Sequence, residues 1–125
     1  MEIIIDGQVY NFVFGMGFLR EINKKFKTPV DGMKGVDKEI GLQYRVAGLM
    51  DGDIEDLIDI LAVANRTETP RVTHDKLDKY IDEECDDIDA LFSEVLEELK
   101  KSNATKTKVL KMEAAIEAEM SRRGM

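Results

Sequence analysis

Acidic side chains at close spacing are the residues of this 125-residue chain that could most readily do chemistry. Asp51, Asp53 and Glu55 occupy the first, third and fifth positions of an EF-hand calcium loop. That loop needs glycine at its sixth position and glutamate at its twelfth, where this chain has Asp56 and Ala62. The calcium motif therefore fails at both diagnostic positions, and Asp53 is predicted to cap a helix instead.

The single histidine and the single cysteine are the remaining candidates for metal binding or catalysis. His74 and Cys85 lie near acidic residues, but no pair has the HxxxH or CxxC spacing of a metal site. No basic cluster near Cys85 would activate it as a nucleophile. We expect no catalytic residue, no metal site and no cofactor, and therefore a protein that is not an enzyme.

Charge is distributed in blocks along the chain, whose formal net charge is −8. Residues 1–50 carry seven basic and six acidic side chains, residues 51–99 carry four and seventeen, and residues 100–125 carry seven and three. The acidic middle block repels phosphate, so no nucleic-acid partner is expected. No apolar run approaches the roughly 20 residues of a membrane span, and the N-terminus lacks the basic region of a signal peptide. With a single cysteine, this favours the cytoplasm.

A β-hairpin at residues 1–15 is the first element predicted to position these side chains. Ile3, Ile4 and Ile5 are β-branched, and the Asp6-Gly7 pair that follows is typical of a type I′ turn. The next segment alternates, and its aromatic side chains are expected to face the core: Tyr10, Phe12 and Phe14. A lone hairpin is only marginally stable in water, so it must pack against helices.

About five to six helices are predicted after the hairpin. The first ends before Thr28-Pro29, and a loop follows. The third is apolar over most of its circumference, which indicates a buried central helix. The helices expected after the loop cover approximately residues 37–50, 54–65, 73–84, 88–101 and 104–123. The fold class is therefore α+β and mainly α-helical, with the N-terminal hairpin packed on this bundle.

Residues 1–103 are predicted to form a single globular domain and residues 104–125 a C-terminal helical tail. The tail has a narrow apolar stripe, expected to be exposed and to serve oligomerisation or to join an extension: Val109, Met112, Ile116 and Met120. Met33, in the flexible loop at residues 29–35, is a further candidate contact because methionine adapts to many surfaces. The acidic run completes the candidate interaction residues: Asp82, Glu83, Glu84, Asp86 and Asp87.

The order of four segments resembles that of a known family. These are the hairpin Ile3–Gly15, the FLREINKK segment at Phe18–Lys25, the helix over Leu49–Leu61 and the DIDALFSEVLEELKKSNAT segment at Asp87–Thr105. In this order they resemble the tail assembly chaperones of long-tailed, siphovirus-type phages and prophages of Gram-positive bacteria. The resemblance covers most of the chain, and its motifs are structural rather than chemical.

The resemblance implies a non-enzymatic role in the cytoplasm of the bacterial host. Such a chaperone binds the tape measure protein, keeps it in solution and recruits the major tail tube protein. It leaves as the tube polymerises, so it is expected to be absent from the mature virion. The family often makes a longer form by ribosomal frameshifting, and residues 104–125 would then lead into the extension.

The charge pattern predicts by itself how copies of the chain would meet. An acidic middle and a basic tail favour head-to-tail contacts, with the tail helix of one copy on the acidic region of a neighbour. Two other functions remain open. One is a small acidic adaptor or antitoxin-type regulatory protein that binds a basic protein. The other is an enzyme with a carboxylate metal site, which would melt at a lower temperature in the presence of a chelator.

Overall fold

The computed structural model describes residues 1–124, in which six helices accompany two small antiparallel sheets. The strands are β1 (Glu2–Ile5), β2 (Gln8–Asn11), β3 (Lys27–Pro29) and β4 (Asp37–Glu39). The helices are α1 (Met16–Asn23), α2 (Gly41–Met50), α3 (Ile54–Ala64), α4 (His74–Lys79), α5 (Ile88–Lys101) and α6 (Lys106–Arg122). The predicted fold class, α+β and mainly helical with an N-terminal hairpin, is confirmed. None of the helices within residues 1–124 is long and apolar enough to cross a membrane.

The N-terminal hairpin has the turn and the inner face that the sequence predicts. Asp6 and Gly7 have positive φ angles of 51° and 75°, as a type I′ turn requires. Tyr10, Phe12 and Phe14 are buried, and the ring of Phe14 meets Phe18 of α1 edge to face at 5.2 Å between centroids. The aromatic face of the hairpin therefore closes one side of the helical core.

Helix α3 is the buried centre of the fold. The Asp53 carboxylate accepts hydrogen bonds from the amides of Glu55 and Asp56, which confirms the predicted N-cap. Eight of its eleven residues are buried, and they extend around most of the helix. A helix that is apolar on nearly all sides is stable only when other elements cover it, and here α1, α2 and α4 pack against it.

A buried asparagine joins the end of α3 to two neighbouring segments. Asn65 has no exposed surface, and its side-chain amide donates to the carbonyls of Asn11 and Pro70 at 2.9 and 3.1 Å. Its side-chain oxygen accepts from the amide of Val72 at 2.6 Å. One side chain thus satisfies three buried backbone groups on β2 and on the loop after α3.

The structure corrects the prediction for residues 27–40. The sequence predicted a loop followed by a helix from Asp37, whereas Lys27–Pro29 and Asp37–Glu39 pair as antiparallel strands. Gly32 and Gly35 have positive φ angles and close the turn between them. The amide of Ile40 then donates to the Phe26 carbonyl at 2.8 Å, so α2 begins only at Gly41. We call residues 27–39 the β-arm.

Two glycines of α2 are required by its packing against the neighbouring helices. A Cβ atom on Gly41 would overlap the Ile22 carbonyl of α1, and one on Gly48 would overlap the Asp56 carboxylate of α3. Glycine costs up to about 1 kcal/mol in a helix interior relative to alanine. These glycines let α2 lie unusually close to both neighbours.

Helices α5 and α6 form the C-terminal part of the fold. Asp87 caps α5 by accepting a hydrogen bond from the Ala90 amide at 3.0 Å. The apolar stripe of α5 faces inward, with Leu91, Val95 and Leu99 buried. The first turns of α6 pack on α2 and α5, and Val109 has no exposed surface. The prediction that Val109 belongs to an exposed stripe is therefore wrong.

Candidate interaction surfaces

The acidic run at residues 82–87 does not form one continuous docking surface. Asp82, Glu83 and Glu84 lie in a π-helical turn, Tyr80–Glu84, that continues α4. The Glu84 carboxylate accepts the Asp6 amide of the hairpin turn at 2.9 and 3.2 Å. Glu84 therefore binds the hairpin to the helical turn that continues α4, and its carboxylate is already occupied within the fold.

The other acidic residues of the run fall into two groups, those occupied within the fold and those without a partner among residues 1–124. Glu83 lies 3.9 Å from the ammonium of Lys79, and Asp87 is occupied as the cap of α5. Asp82 and Asp86 are exposed and form no ion pair with any residue in the range 1–124. Of the acidic run, these two side chains are the ones left to meet another molecule.

The apolar stripe of α6 continues past the body of the protein. Met112 is half-buried against the core, whereas Ile116 and Met120 are 45% and 51% exposed. Lys100 pairs with Glu113 at 3.1 Å and ties α5 to the middle of α6. Hydrogen bonds to Glu113 and Glu97 raise the pKa of Lys100. Beyond Glu113 the stripe is uncovered within the described residues.

The positive charge of the tail lies at its beginning rather than along the stripe. Three exposed lysines stand on the first two turns of α6: Lys106, Lys108 and Lys111. The second half holds Glu117, Glu119, Arg122 and Arg123, and both arginines pair with Glu119. The second half of α6 therefore combines an exposed apolar stripe with equal numbers of acidic and basic side chains.

Met33 lies at the tip of the β-arm and is 55% exposed. All residues from Asp31 to Glu39 are exposed, including Val36. Because the two strands of the β-arm are short and leave both edges open, the arm presents both apolar side chains and unpaired backbone groups. The sequence-predicted Met33 contact thus lies on a projecting hairpin and not on an irregular loop.

The candidate metal ligands remain apart in the structure. Among residues 1–124, no three histidine, cysteine, aspartate or glutamate side chains come close enough to hold a metal ion. The exposed His74 ring lies 3.4 Å from Asp59, while Asp53 is engaged as a helix cap. Cys85 lies beside Tyr80, and burial, with a further contribution from the neighbouring Cys85 side chain, raises the pKa of Tyr80 to about 12.

Arg45 forms a charged junction between α2 and α3. Its guanidinium is 2.6 Å from Asp56 and 2.6 Å from Asp59, and its carbon lies 4.9 Å from the centre of the Phe26 ring. Phe26 stacks on Tyr44 with 4.1 Å between ring centroids. This junction holds Phe26, the residue just before the β-arm, against α2. It therefore positions the β-arm relative to the helices.

A groove with a basic rim lies between α1, the start of α2 and the start of α6. Its apolar lining consists of Leu19, Ile40, Leu42 and Ala104, and its volume is about 240 Å³. Lys38 and Lys108 line its rim together with Glu39. We call this feature the basic groove. The sequence alone does not reveal this groove, because its walls come from three distant segments.

An acidic edge with an exposed isoleucine lies at the start of α3. Ile54 is 37% exposed, and a shallow depression of about 250 Å³ separates it from α4. The depression is lined by Ile54, Glu55, Ile58, Asp78, Ile81 and Asp82, which we call the acidic edge. Within residues 1–124, Glu55, Asp78 and Asp82 form no ion pair.

Comparison with protein families identifies one match that covers most of the chain. The model of the phage tail assembly chaperone family, described as "phage tail assembly chaperone protein, TAC", matches residues 2–113. The match includes the hairpin, the β-arm and the helices through the first half of α6. Comparison with curated proteins and with solved structures gave no match.

Proposed function

The chain belongs to the phage tail assembly chaperone family, and we propose that it binds a tape measure protein and helps to recruit tail tube subunits during tail assembly. The family match over residues 2–113 carries this proposal. The action would take place in the cytoplasm of the bacterial host, and the protein would be absent from the finished virion. A Gram-positive host is part of the same proposal, since it rests on the resemblance of the motifs.

The exposed half of α6 is the surface that we assign to the client. Ile116 and Met120 are exposed at helical spacing, with the half-buried Met112 one turn before them, and a long helical client can pack its own apolar stripe against this surface. Complete burial of one large apolar side chain contributes about 1.5–3 kcal/mol, so two or three such contacts give weak binding. Weak, repeated contacts suit a chaperone that must release its client when the tube forms.

Self-association is the second part of the proposal. Copies joined head to tail would place many weak client sites along one tape measure protein. Residues 104–125 would serve this assembly or lead into the longer, frameshifted form; residue 125 of this segment lies outside the described residues. The burial of Thr105 and Val109 supports an anchored first half and a free second half of α6.

Co-expression with a tape measure protein tests the client surface. A tagged chain should capture the tape measure protein, and the double variant Ile116→Glu/Met120→Glu should lose most of that capture because two charges interrupt the stripe. The matched control is Ala118→Glu, which places a charge on the opposite, exposed face of the same helix. Equal capture by both variants would show that the exposed half of α6 is not the client surface. No capture by the wild-type chain would contradict the proposed function.

A further inference from the structure

We propose that the acidic edge of one copy docks in the basic groove of a second copy. The inference specifies the contact behind the self-association in the proposed function, and it rests on that part of the function alone. The sequence predicts that the tail helix of one copy meets the acidic region of a neighbour, and the inference narrows that contact to the start of α6 together with the groove beside it.

The two surfaces carry opposite charges that other residues of the described chain do not neutralise. Lys38 and Lys108 at the rim of the basic groove form no ion pair within residues 1–124. Lys108 faces Glu55, Asp78 and Asp82 when the acidic edge of a neighbour approaches. Glu39 reduces the positive charge of the groove without cancelling it. Exposed charges of this kind act over about 8–10 Å at physiological salt and favour one orientation of approach.

The two surfaces also match in their apolar parts. Ile54 is the first residue of α3, is 37% exposed and lines the same depression as the acidic side chains. The lining of the basic groove offers an apolar pocket in which such a side chain can be shielded from water: Leu19, Ile40, Leu42 and Ala104. In the proposed contact, an apolar residue surrounded by acidic side chains meets an apolar pocket bordered by lysines. An apolar centre with a polar rim is the usual arrangement of a specific protein interface.

The positions of the two surfaces determine what the contact builds. The groove includes residues 38–43 at the start of α2, while the acidic edge begins a few residues after α2 ends. A ten-residue helix is about 15 Å long, so the two surfaces lie at opposite ends of α2. The contact joins different surfaces of the two copies. Repetition of such a contact gives an open chain or a ring rather than a two-fold dimer.

Charge reversal tests the contact directly. The groove variant Lys38→Glu/Lys108→Glu and the edge variant Glu55→Lys/Asp78→Lys should each be monomeric, because each opposes two surfaces of like charge. A mixture of the two variants should associate again, since each then meets a surface of opposite charge. The matched control is Lys106→Glu/Lys111→Glu, which makes the same charge change on α6 outside the groove. Sedimentation velocity gives the size of each species, and circular dichroism verifies that each variant is folded.

The wild-type chain should associate with increasing concentration and dissociate with increasing salt. A wild-type chain that stays monomeric up to about 1 mM, the weak end of measurable affinities, would overturn the inference. It would also be overturned by a groove variant that associates as the wild type does, or by a mixture that stays monomeric. Tape measure capture by wild-type and variant chains, measured separately, distinguishes the two failures: the contact can fail while the wild-type chain still captures its client.

Discussion

The guanidinium of Arg45 on α2 lies 2.6 Å from the carboxylate of Asp56 on α3, and both side chains are largely shielded from water. Asp56 also lies against Gly48, where no other residue would leave room for it. The second carboxylate on the same guanidinium, Asp59, reaches His74 at the start of α4. These charged side chains therefore link α2 and α4 to the central helix α3.

Replacement of Arg45 by methionine should lower the free energy of unfolding by about 2–4 kcal/mol, because it leaves the buried Asp56 carboxylate without its partner. Methionine retains most of the side-chain length. The measurement is urea unfolding followed by circular dichroism. The control Arg20→Met removes an exposed arginine that forms no ion pair within residues 1–124 and should change stability by less than about 0.5 kcal/mol.

A double-mutant cycle with Asp56→Asn then isolates the pair. The two substitutions together should cost less than the sum of the separate effects, since the second removes the charge that the first leaves unpaired. Strictly additive losses would show that Arg45 stabilises the fold through its packing against Phe26 rather than through the carboxylates.

Gly48→Ala should destabilise the protein by about 1–3 kcal/mol, although alanine is the better helix former by about 1 kcal/mol. The new methyl group would overlap the Asp56 carboxylate and push α2 away from α3. Thermal unfolding of the variant measures the effect. An increase in melting temperature would mean that α2 and α3 do not approach each other as closely as described.

Asn65→Ala should destabilise the protein by about 3 kcal/mol, because it leaves the Val72 amide and two carbonyls without partners in a buried site. Chemical unfolding measures the loss. Asn103→Ala, at an exposed position, is the matched control and should stay within about 0.5 kcal/mol of the wild type. A loss at Asn65 no larger than at Asn103 would contradict the role of the buried amide.

Tyr80 should titrate at an unusually high pH, because burial and the neighbouring Cys85 thiol raise its pKa to about 12. The folded state retains this proton more strongly than the unfolded chain does, so the contribution to stability is present below pH 10 and decreases as the pH rises toward 12. Cys85→Ala should lower the pKa toward 10, as seen in the ultraviolet absorbance of the phenolate. Tyr80→Phe identifies the signal, and an unchanged titration in the Cys85 variant would contradict the assigned cause.

Local signals in the sequence predicted the elements whose ends are determined by single residues. Asp6-Gly7 specifies its turn because both positions need positive φ angles, and Asp53 caps the helix that follows it. Strands β3 and β4 gave no such signal. Their residues are polar or exposed, and their pairing depends on backbone hydrogen bonds between segments without apolar alternation.

The interaction surfaces were less predictable because they depend on distant parts of the chain. The apolar stripe of α6 has the same helical spacing from Val109 to Met120. Contacts with α2 and α5 nevertheless bury Val109 and leave Ile116 exposed. The basic groove brings together residues 19, 40 and 108. The acidic run is not one surface, because the Glu84 carboxylate accepts a hydrogen bond from the hairpin. Such relationships appear only after the chain has folded.

The solubility of a tape measure protein is the most direct measurement of whether this chain acts as its chaperone. Expressed alone, the tape measure protein should be found in the insoluble fraction, and co-expression with this chain should move most of it to the soluble fraction in complex with the chain. The Ile116→Glu/Met120→Glu variant should rescue less of it than the Ala118→Glu control does. A tape measure protein whose soluble fraction is the same with and without the wild-type chain would contradict the proposed chaperone function.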